Sequence, residues 1–208
     1  MSQANIRVGL LAYGAIGDEH NQAIKATPGL SLAAVCDTNP ERLKVALAIS
    51  PDAKTFTDAD LMIASGEIDL VVISTPPNSH YLWAKKALNA NLNVVLEKPM
   101  ALNKIDAEKV IFKALHVHKH VFAVMQNRYS PPAKWLKEVV DGGLLGDTYM
   151  VQLNCYWNRD DRYYKKGGWK GSSDLDGGTL FTQFSHFVDI MYWVFGDISD
   201  IQGKFADF

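Results

Sequence analysis

Residues 6–17 constrain the fold of this chain more than any other stretch. An apolar run of strand type leads into a turn that contains Gly14 and Gly17, with Ala12 where a third glycine is usual. Asp18 and Glu19 follow, where negative charge favours the start of a helix. Such a strand, turn and helix direct backbone N–H groups at a phosphate. The turn therefore predicts a site for the pyrophosphate of a dinucleotide.

Asp37 ends the second apolar run, twenty positions after Gly17. A carboxylate at that place accepts hydrogen bonds from an adenine ribose. Thr38 and Asn39 carry no positive charge for a 2′-phosphate, which favours NAD over NADP. The alternative is that Asp37 only opens a turn before the helix that Asn39-Pro40 begins.

Further apolar runs at 69–73, 93–96 and 121–126 alternate with segments of helical pattern. This alternation predicts an α/β fold, a Rossmann-type doubly wound parallel sheet whose ligand crevice lies at the carboxyl ends of the strands. Gly14, Asp37, Thr75 and Lys98 are all expected at that edge.

Composition limits the classes of partner. With 21 basic and 23 acidic residues the net charge is −2, so no basic footprint indicates nucleic acid. No apolar run reaches membrane-spanning length, and Cys36 and Cys155 suggest no disulfide framework, which predicts a cytoplasmic protein. His116, His118 and His120 alternate without a nearby carboxylate or thiol, so no metal site is predicted.

The composition changes after residue 126. We expect a helix from Pro131 to Asp141, a strand over 148–157, and a loop over 158–174 whose cations and aromatic rings suit an anionic or sugar-like ligand, with solvated loop chemistry as the alternative. A helix running through to Phe195 would place Thr182, His186 and Asp189 on one face. A last strand is expected over 198–208.

Five motifs in register resemble the Gfo/Idh/MocA oxidoreductases, the glucose-fructose oxidoreductase and inositol dehydrogenase superfamily. The Glu-Lys-Pro that follows a strand is the most specific of them. In chain order the motifs are Ala12-Tyr13-Gly14-Ala15-Ile16-Gly17, Thr75-Pro76-Pro77-Asn78-Ser79-His80, Glu97-Lys98-Pro99, Asn127-Arg128-Tyr129-Ser130-Pro131, and Gly177-Gly178 leading to His186 and Asp189.

The resemblance implies a Rossmann domain over 1–126 and, over 127–208, the first part of an α+β domain with an open, mainly antiparallel sheet. It implies hydride transfer between NAD, or NADP, and a secondary hydroxyl or ketone of a sugar or nucleotide-sugar. Lys98 would hydrogen-bond the reacting oxygen, and His186 would accept or donate the proton. A structural salt bridge of Lys98 with Glu97 or Asp176 is the alternative.

The same resemblance assigns ligand contacts by position. The implied cofactor-binding residues are Ala12, Tyr13, Gly14, Ala15, Ile16, Asp37, Thr38, Ser74, Thr75, Pro76, Asn78, His80, Glu97, Lys98 and Asn127. The implied substrate-binding residues are Arg128, Tyr129, Tyr164, Trp169, Lys170, Thr182 and Gln183.

The chain departs from the family pattern in three ways. Ala12 replaces the first glycine, and Thr182 stands where many inositol-type members carry an aspartate before the histidine. The start of the last helix and the 163–171 loop look more like members acting on UDP-linked amino-sugar uronates. The chain also ends early, which predicts a truncated form with exposed apolar surface, and a homo-oligomer, dimer or tetramer, at full length. A dinucleotide-binding protein without turnover is the alternative function.

Overall fold

The computed structural model describes residues 5–165 and 167–204. Strands and helices alternate through the first part of the chain, and helices follow in the second part. Two 3₁₀ turns, Pro77–Ser79 and Gln126–Tyr129, stand outside this numbering. The elements are β1 (Ile6–Leu11), α1 (Gly17–Ala26), β2 (Leu30–Cys36), α2 (Pro40–Ile49), β3 (Lys54–Phe56), α3 (Ala59–Ala64), β4 (Leu70–Ile73), α4 (His80–Asn89), β5 (Asn93–Leu96), α5 (Lys104–His116), β6 (Val121–Ala123), α6 (Pro131–Asp141), α7 (Ser173–Asp176), α8 (Thr179–Thr182) and α9 (Ser185–Phe195).

The six strands form one sheet in the order β3-β2-β1-β4-β5-β6, and every neighbouring pair is parallel. The order reverses between β1 and β4, which is where a ligand crevice opens in sheets of this kind. The predicted Rossmann-type fold is confirmed. The segments after β1, β2, β4 and β5 therefore meet at one edge.

The core lies on both faces of the sheet because successive side chains of a strand point to opposite faces. Leu10 packs on one face with Ile24 of α1 and Leu43 of α2, while Leu11 packs on the other with Leu88 of α4. Burial on both faces explains why these strands read as continuous apolar runs.

Helix starts follow the sequence closely. The Asn39 side chain accepts the N–H of Glu41 at the start of α2, and Asn103 accepts the N–H of Asp106 at the start of α5. Each bond satisfies a backbone donor that the helix itself leaves free. The expected boundaries of α6 match those observed, and α2 begins at Pro40 as the Asn39-Pro40 pair predicts.

The strands predicted over 148–157 and 198–208 are wrong as far as the structure describes those residues, that is, for 148–157 and 198–204. Residues 205–208 lie outside the described part. A strand needs a hydrogen-bonded neighbour, and neither segment has one in the described chain. The predicted exposed apolar surface is present: Leu144, Tyr149, Met150 and Tyr156 are 79, 91, 80 and 94% exposed.

The continuous helix predicted up to Phe195 is also interrupted. α8 ends at Thr182 and α9 begins at Ser185, and α7 is separated from α8 by Gly177 and Gly178, which have φ of 75° and 86°. Left-handed φ values of this kind cannot continue an α-helix. Thr182 ends α8 whereas His186 and Asp189 lie in α9, so the three residues do not share one helix.

Other expectations concern whole classes of site. In the part of the chain that the structure describes, no helix combines the length and apolar character needed to cross a bilayer. Within the same residues no three His, Cys, Asp or Glu side chains are grouped to hold a metal ion. Cys36 and Cys155 are both free thiols, and burial raises the pKa of Cys36 to about 11.

Candidate active site

The turn after β1 is built as a phosphate-binding turn. Ala12 takes the left-handed conformation of the missing glycine, with φ of 70°, and its N–H donates to the Cys36 carbonyl. A Cβ placed on Gly14 would meet no described heavy atom within 4 Å. Neither packing nor backbone angle therefore requires glycine at position 14. Open space beside this backbone is what close approach of a pyrophosphate needs, so the residues present fit a dinucleotide.

Tyr13 contributes its backbone to this turn and buries its side chain. Its ring lies against Gly17, where an added Cβ would come within 2.8 Å of it. The hydroxyl donates to Asp18 and accepts from Asn21, and burial raises the pKa of Tyr13 to about 12. Gly17 is thus required by packing, in contrast to Gly14. Ala15 and Ile16 complete the turn, with Ala15 exposed.

Asp37 lies beside the turn, as the spacing predicted. Its carboxylate accepts the N–H of Tyr13 at 2.8 Å and the N–H of Asn39 at 2.8 Å. The second bond is the turn-opening role that was left as the alternative. Arg42 also donates to this carboxylate at 3.4 Å. A positive charge therefore lies beside Asp37, although Thr38 and Asn39, the residues that follow it, are uncharged. Thr38 is exposed next to it.

The loop after β4 is tied to two neighbours. The Ser74 hydroxyl donates to the Ala12 carbonyl at 2.8 Å, and the Ser79 hydroxyl donates to that of Thr75 at 2.7 Å. His80 is fully buried, with its Nδ1 2.7 Å from the Pro99 carbonyl and its Nε2 2.8 Å from the Thr75 carbonyl. Burial lowers the pKa of His80. The His80 ring therefore connects two loops of the site, and both of its nitrogens already contact protein carbonyl groups. Pro76 and Asn78 lie between Ser74 and His80 in this loop.

Glu97 and Lys98 follow β5 at the same edge. The Glu97 carboxylate pairs with the His20 ring of α1 at 2.9 Å and accepts the N–H of Lys98 at 3.2 Å. The Lys98 ammonium donates to the Thr182 carbonyl. Burial lowers the pKa of Lys98, and the Glu97 charge opposes that shift. The salt bridges considered for Lys98 are not formed, because Glu97 holds His20 and Asp176 accepts the N–H groups of Gly171 and Gly178.

His186 lies in the first turn of α9, close enough to Lys98 for the two to interact. Burial lowers the pKa of His186, the Lys98 charge lowers it further, and Glu97 and Asp189 oppose the shift. Nδ1 is enclosed and has no hydrogen-bond partner among the described residues. The lowered pKa favours the neutral form of the imidazole.

The 158–174 loop meets this region through Gln183. Its side-chain amide donates to the hydroxyl of Tyr163, and the Tyr163 and Tyr164 rings pack edge to face. Lys170 lies over the Tyr163 ring and Trp169 is partly exposed beside it. The Thr182 hydroxyl donates to the Gly178 carbonyl. Of the predicted substrate residues, Tyr164, Trp169, Lys170, Thr182 and Gln183 thus lie in one neighbourhood.

Arg128 and Tyr129 are placed differently from that group. The Arg128 guanidinium donates two hydrogen bonds to the Asp189 carboxylate, at 2.7 and 2.5 Å, and its pKa is raised by this bonding. The Arg128 side chain therefore binds α9 through Asp189. Tyr129 is 72% exposed. Asn127 precedes them in the 3₁₀ turn and its carbonyl accepts the Ser130 hydroxyl.

Sequence reasoning missed three contributors: His20, Arg42 and the backbone-binding role of Asp176. His20 and Arg42 had a signal, since both stand in the first turn of a helix that starts at the ligand edge. Asp176 also had a signal, because an Asp two positions before the N–H of Gly178 is a typical turn pattern, whereas its bond to Gly171 had none.

Two models of one protein family match this chain. The model of the Gfo/Idh/MocA oxidoreductase family, described as having an NAD-binding Rossmann fold, matches residues 6–125. The family's C-terminal domain model matches residues 133–208. This chain belongs to the Gfo/Idh/MocA oxidoreductase family. The resemblance inferred from the five motifs is confirmed, and NAD is confirmed as the cofactor at the level of the family.

Solved structures and curated relatives agree with this assignment. The WlbA dehydrogenase of Bordetella pertussis, crystallised with NADH and UDP-GlcNAcA, is 34% identical with a TM-score of 0.88 over 94% of this chain and 57% of its own. An uncharacterized oxidoreductase of Schizosaccharomyces pombe is 33% identical over 76% of this chain and 42% of its own length. Inositol 2-dehydrogenase of Salmonella typhimurium is 27% identical over 92% and 55%. The chain thus spans about half the length of these members of the Gfo/Idh/MocA family.

Proposed function

We propose that this Gfo/Idh/MocA chain binds NAD(H) and that its activity is hydride transfer between the cofactor and a secondary carbinol of a sugar or nucleotide-sugar. The observation that carries the proposal is the hydrogen bond from the Lys98 ammonium, at the carboxyl edge of the Rossmann sheet, to the Thr182 carbonyl four residues before His186. We place the cofactor-binding domain at 1–126 and the start of the substrate domain at 127–208.

Cofactor binding rests on the turn and on Asp37. The backbone at Gly14 would lie against the pyrophosphate, and the Asp37 carboxylate would accept the ribose hydroxyls. Asp37 favours NAD, because a carboxylate repels a 2′-phosphate. Arg42 is the residue that would favour NADP if Asp37 were removed.

In the oxidation direction, bound NAD would supply the acceptor for the hydride that leaves the carbon bearing the hydroxyl. The hydroxyl on that carbon must lose its proton at the same time. His186 accepts this proton, because burial and the Lys98 charge lower its pKa and favour the neutral ring that can take a proton. The Lys98 ammonium hydrogen-bonds the same oxygen and stabilises the negative charge that develops on it. The product is a ketone.

The substrate class that we propose is a nucleotide-linked sugar, on the similarity to WlbA and on the cationic and aromatic loop over 158–174. A free cyclitol or sugar is the second candidate, and the similarity to inositol 2-dehydrogenase favours it. Nicotinamide reduction measured with UDP-sugars, free sugars and inositol distinguishes the two.

The test begins with binding. NADH fluorescence should report a complex with the protein, in both the 208-residue chain and a longer form. In a form that turns over, Lys98→Met should lower kcat/KM by about 10²- to 10³-fold. His186→Asn should lower it by about 10²- to 10⁴-fold. Lys104→Met, an exposed lysine at the start of α5, is the matched control and should behave as wild type.

Two outcomes would contradict the proposal. Failure to bind NADH would remove the cofactor assignment. NADH binding without turnover on any of these substrates in the longer form, unchanged by Lys98→Met, would favour the non-catalytic alternative.

A further inference from the structure

The Glu97 carboxylate lies between two hydrogen-bond donors just after β5. Its side chain is 8% exposed. Oε1 lies 2.9 Å from the Nε2 of His20, and Oε2 accepts the backbone N–H of Lys98 at 3.2 Å. A carboxylate has no proton to donate, so the Nε2 of His20 is the donor in this pair. Each carboxylate oxygen therefore has a protein donor, and neither of these donors is the Lys98 ammonium.

The Glu97 charge also acts on neighbouring ionisable side chains. Burial lowers the pKa of Lys98, of His80 and of His186, and Glu97 opposes that shift in each. The His80 nitrogens already contact backbone carbonyl groups, and the His186 ring is held in the first turn of α9. Lys98 differs, because its ammonium stands on a long flexible stem and it follows Glu97 directly in the sequence. Lys98 is therefore the cation with which a released Glu97 side chain would pair.

Removal of the His20 ring would leave the Glu97 Oε1 without its donor. A buried carboxylate that loses its partner is strongly unfavourable, so Glu97 would turn towards the Lys98 ammonium. In an ion pair with Glu97, the ammonium would leave the Thr182 carbonyl to which it now donates. It would also be less available to the oxygen of a reacting carbinol.

His20 is held by the helix that begins at the phosphate-binding turn. It lies in the first turn of α1, its backbone N–H donates to the Ile16 carbonyl at 3.2 Å, and its side chain is 15% exposed. The buried Tyr13 hydroxyl bonds to two side chains of the same helix. The His20 ring therefore reaches Glu97 from a well-packed element, which is what a residue that fixes another side chain requires.

We propose that His20 is a positioning residue, which holds the Glu97 carboxylate away from the Lys98 ammonium and so keeps Lys98 available to the reacting oxygen. The proposal rests on the proposed function, because it takes Lys98 as the group that hydrogen-bonds this oxygen. His20 acts only through Glu97, and no contact with cofactor or substrate is assigned to it.

The pKa of Lys98 tests the proposal in the 208-residue chain without cofactor or turnover. It is measured by NMR titration of isotope-labelled lysine side chains, in which Lys98 gives the signal that Lys98→Met lacks. His20→Leu removes the donor and should raise the pKa of Lys98 above the wild-type value, because an ion pair favours the charged form. His20→Gln keeps an N–H donor at about the reach of Nε2 and should retain the wild-type pKa of Lys98.

Three further variants identify the carboxylate as the cause. His20→Leu combined with Glu97→Gln leaves Lys98 no carboxylate at position 97, so the pKa of Lys98 should lie at or below the wild-type value. His116→Leu removes an exposed histidine at the end of α5 and should leave that pKa unchanged. His20→Asn keeps a polar side chain that is too short to reach Glu97. It should raise the pKa of Lys98 as His20→Leu does, and it replaces that variant if the leucine protein does not fold.

Steady-state kinetics in a longer form that turns over provide the second readout. His20→Leu should lower kcat/KM about 10- to 100-fold, because misplacement of a group that orients the substrate costs rate on this scale. His20→Gln should stay within about threefold of wild type, since the Glu97 carboxylate keeps its donor.

The proposal is overturned if folded His20→Leu or His20→Asn protein keeps or lowers the pKa of Lys98, or if the double variant shows the same rise as His20→Leu. It is also overturned if kcat/KM is unchanged where the pKa of Lys98 has risen. Failure of the protein to bind NADH would instead remove the proposed function, and the measurement on Lys98 would still stand.

Discussion

The Lys98 ammonium donates a hydrogen bond to the carbonyl oxygen of Thr182, the residue at which α8 ends, four positions before His186. A helix end leaves carbonyl groups without an intrahelical donor. Here one of these carbonyl groups accepts a hydrogen bond from a side chain at the carboxyl edge of the Rossmann sheet. The break between α8 and α9 is therefore not incidental. It supplies the acceptor that holds Lys98 near His186.

Acid stability should depend on His186. Its folded-state pKa lies below the ordinary value of about 6.5 because of burial and of Lys98. A group of this kind binds protons more tightly in the unfolded state, so its contribution to stability is complete above about pH 6.5 and is lost as the pH falls towards the folded pKa. In urea unfolding, wild type should lose more stability between about pH 6.5 and 5 than His186→Asn.

The control for this measurement is His116→Asn, at the exposed end of α5, which should keep the wild-type dependence on pH. Because His80 is present in all three proteins, its titration cancels in the comparison. Equal pH slopes for wild type and His186→Asn would mean that His186 is not desolvated in solution.

Gly14 and Gly17 should respond oppositely to alanine. An added Cβ at Gly14 meets no described atom within 4 Å, so Gly14→Ala should fold as wild type and should weaken NADH binding about tenfold or more, because the methyl group lies where the pyrophosphate would come. At Gly17 the Cβ would stand 2.8 Å from the Tyr13 ring. Gly17→Ala should therefore lower the free energy of unfolding by about 1–3 kcal/mol.

Thermal unfolding and NADH fluorescence titration, run on both variants, check this contrast. Normal NADH affinity in a folded Gly14→Ala protein would show that the pyrophosphate does not approach this turn.

Much of the Rossmann part could be predicted because its signals are local. Continuous apolar runs mark buried parallel strands, and Asn39 and Asn103 mark helix starts by bonds to residues two and three positions ahead. Asp37 was found for a related reason, since the strand, the turn and the spacing together fix where its carboxylate lies.

The errors concern strand partners and side-chain directions, which local sequence patterns do not fix. The 148–157 segment has the apolar content of a strand, but a strand depends on a partner that its own sequence does not encode. The inward position of Tyr13 depends on Gly17 and Asn21 beneath it, and the Arg42 contact depends on how α2 packs. The motifs were enough to place these residues at the carboxyl edge of the sheet. The directions in which their side chains point could be seen only in the folded structure.

Replacing Ala12 by glycine should stabilise the folded protein. With φ of 70° it holds a conformation that costs an alanine about 1 kcal/mol relative to glycine. Its N–H bond to Cys36 and its carbonyl bond from Ser74 hold it there. Ala12→Gly should raise the free energy of unfolding by about 0.5–1 kcal/mol, and Tm by about 1–4 °C, despite the greater freedom of glycine in the unfolded chain.

Ala15→Gly is the matched control, because Ala15 lies in the same turn without a positive φ. It should leave the free energy of unfolding unchanged or lower it by about 0.3 kcal/mol. A fall in Tm for Ala12→Gly would show that the left-handed conformation is not kept in solution.

Arg128 was expected to bind substrate, and its bond pattern predicts a different result on mutation. Its guanidinium is bidentate on Asp189, whose side chain is 10% exposed, and this pair holds α9 against the segment that follows β6. Arg128→Met would leave that carboxylate without its partner, so we expect a loss of about 2 kcal/mol in the free energy of unfolding. Arg128→Met combined with Asp189→Leu should recover part of it, with a coupling energy of about 1–3 kcal/mol in the double-mutant cycle.

Substrate binding provides the second readout for Arg128. If Arg128 acts only through Asp189, the double variant should restore both stability and KM together, because α9 and His186 return to their places. If the double variant regains stability while its KM stays raised, Arg128 contacts the substrate, as the resemblance implied. Denaturant unfolding and steady-state kinetics on the four proteins of the cycle distinguish these outcomes.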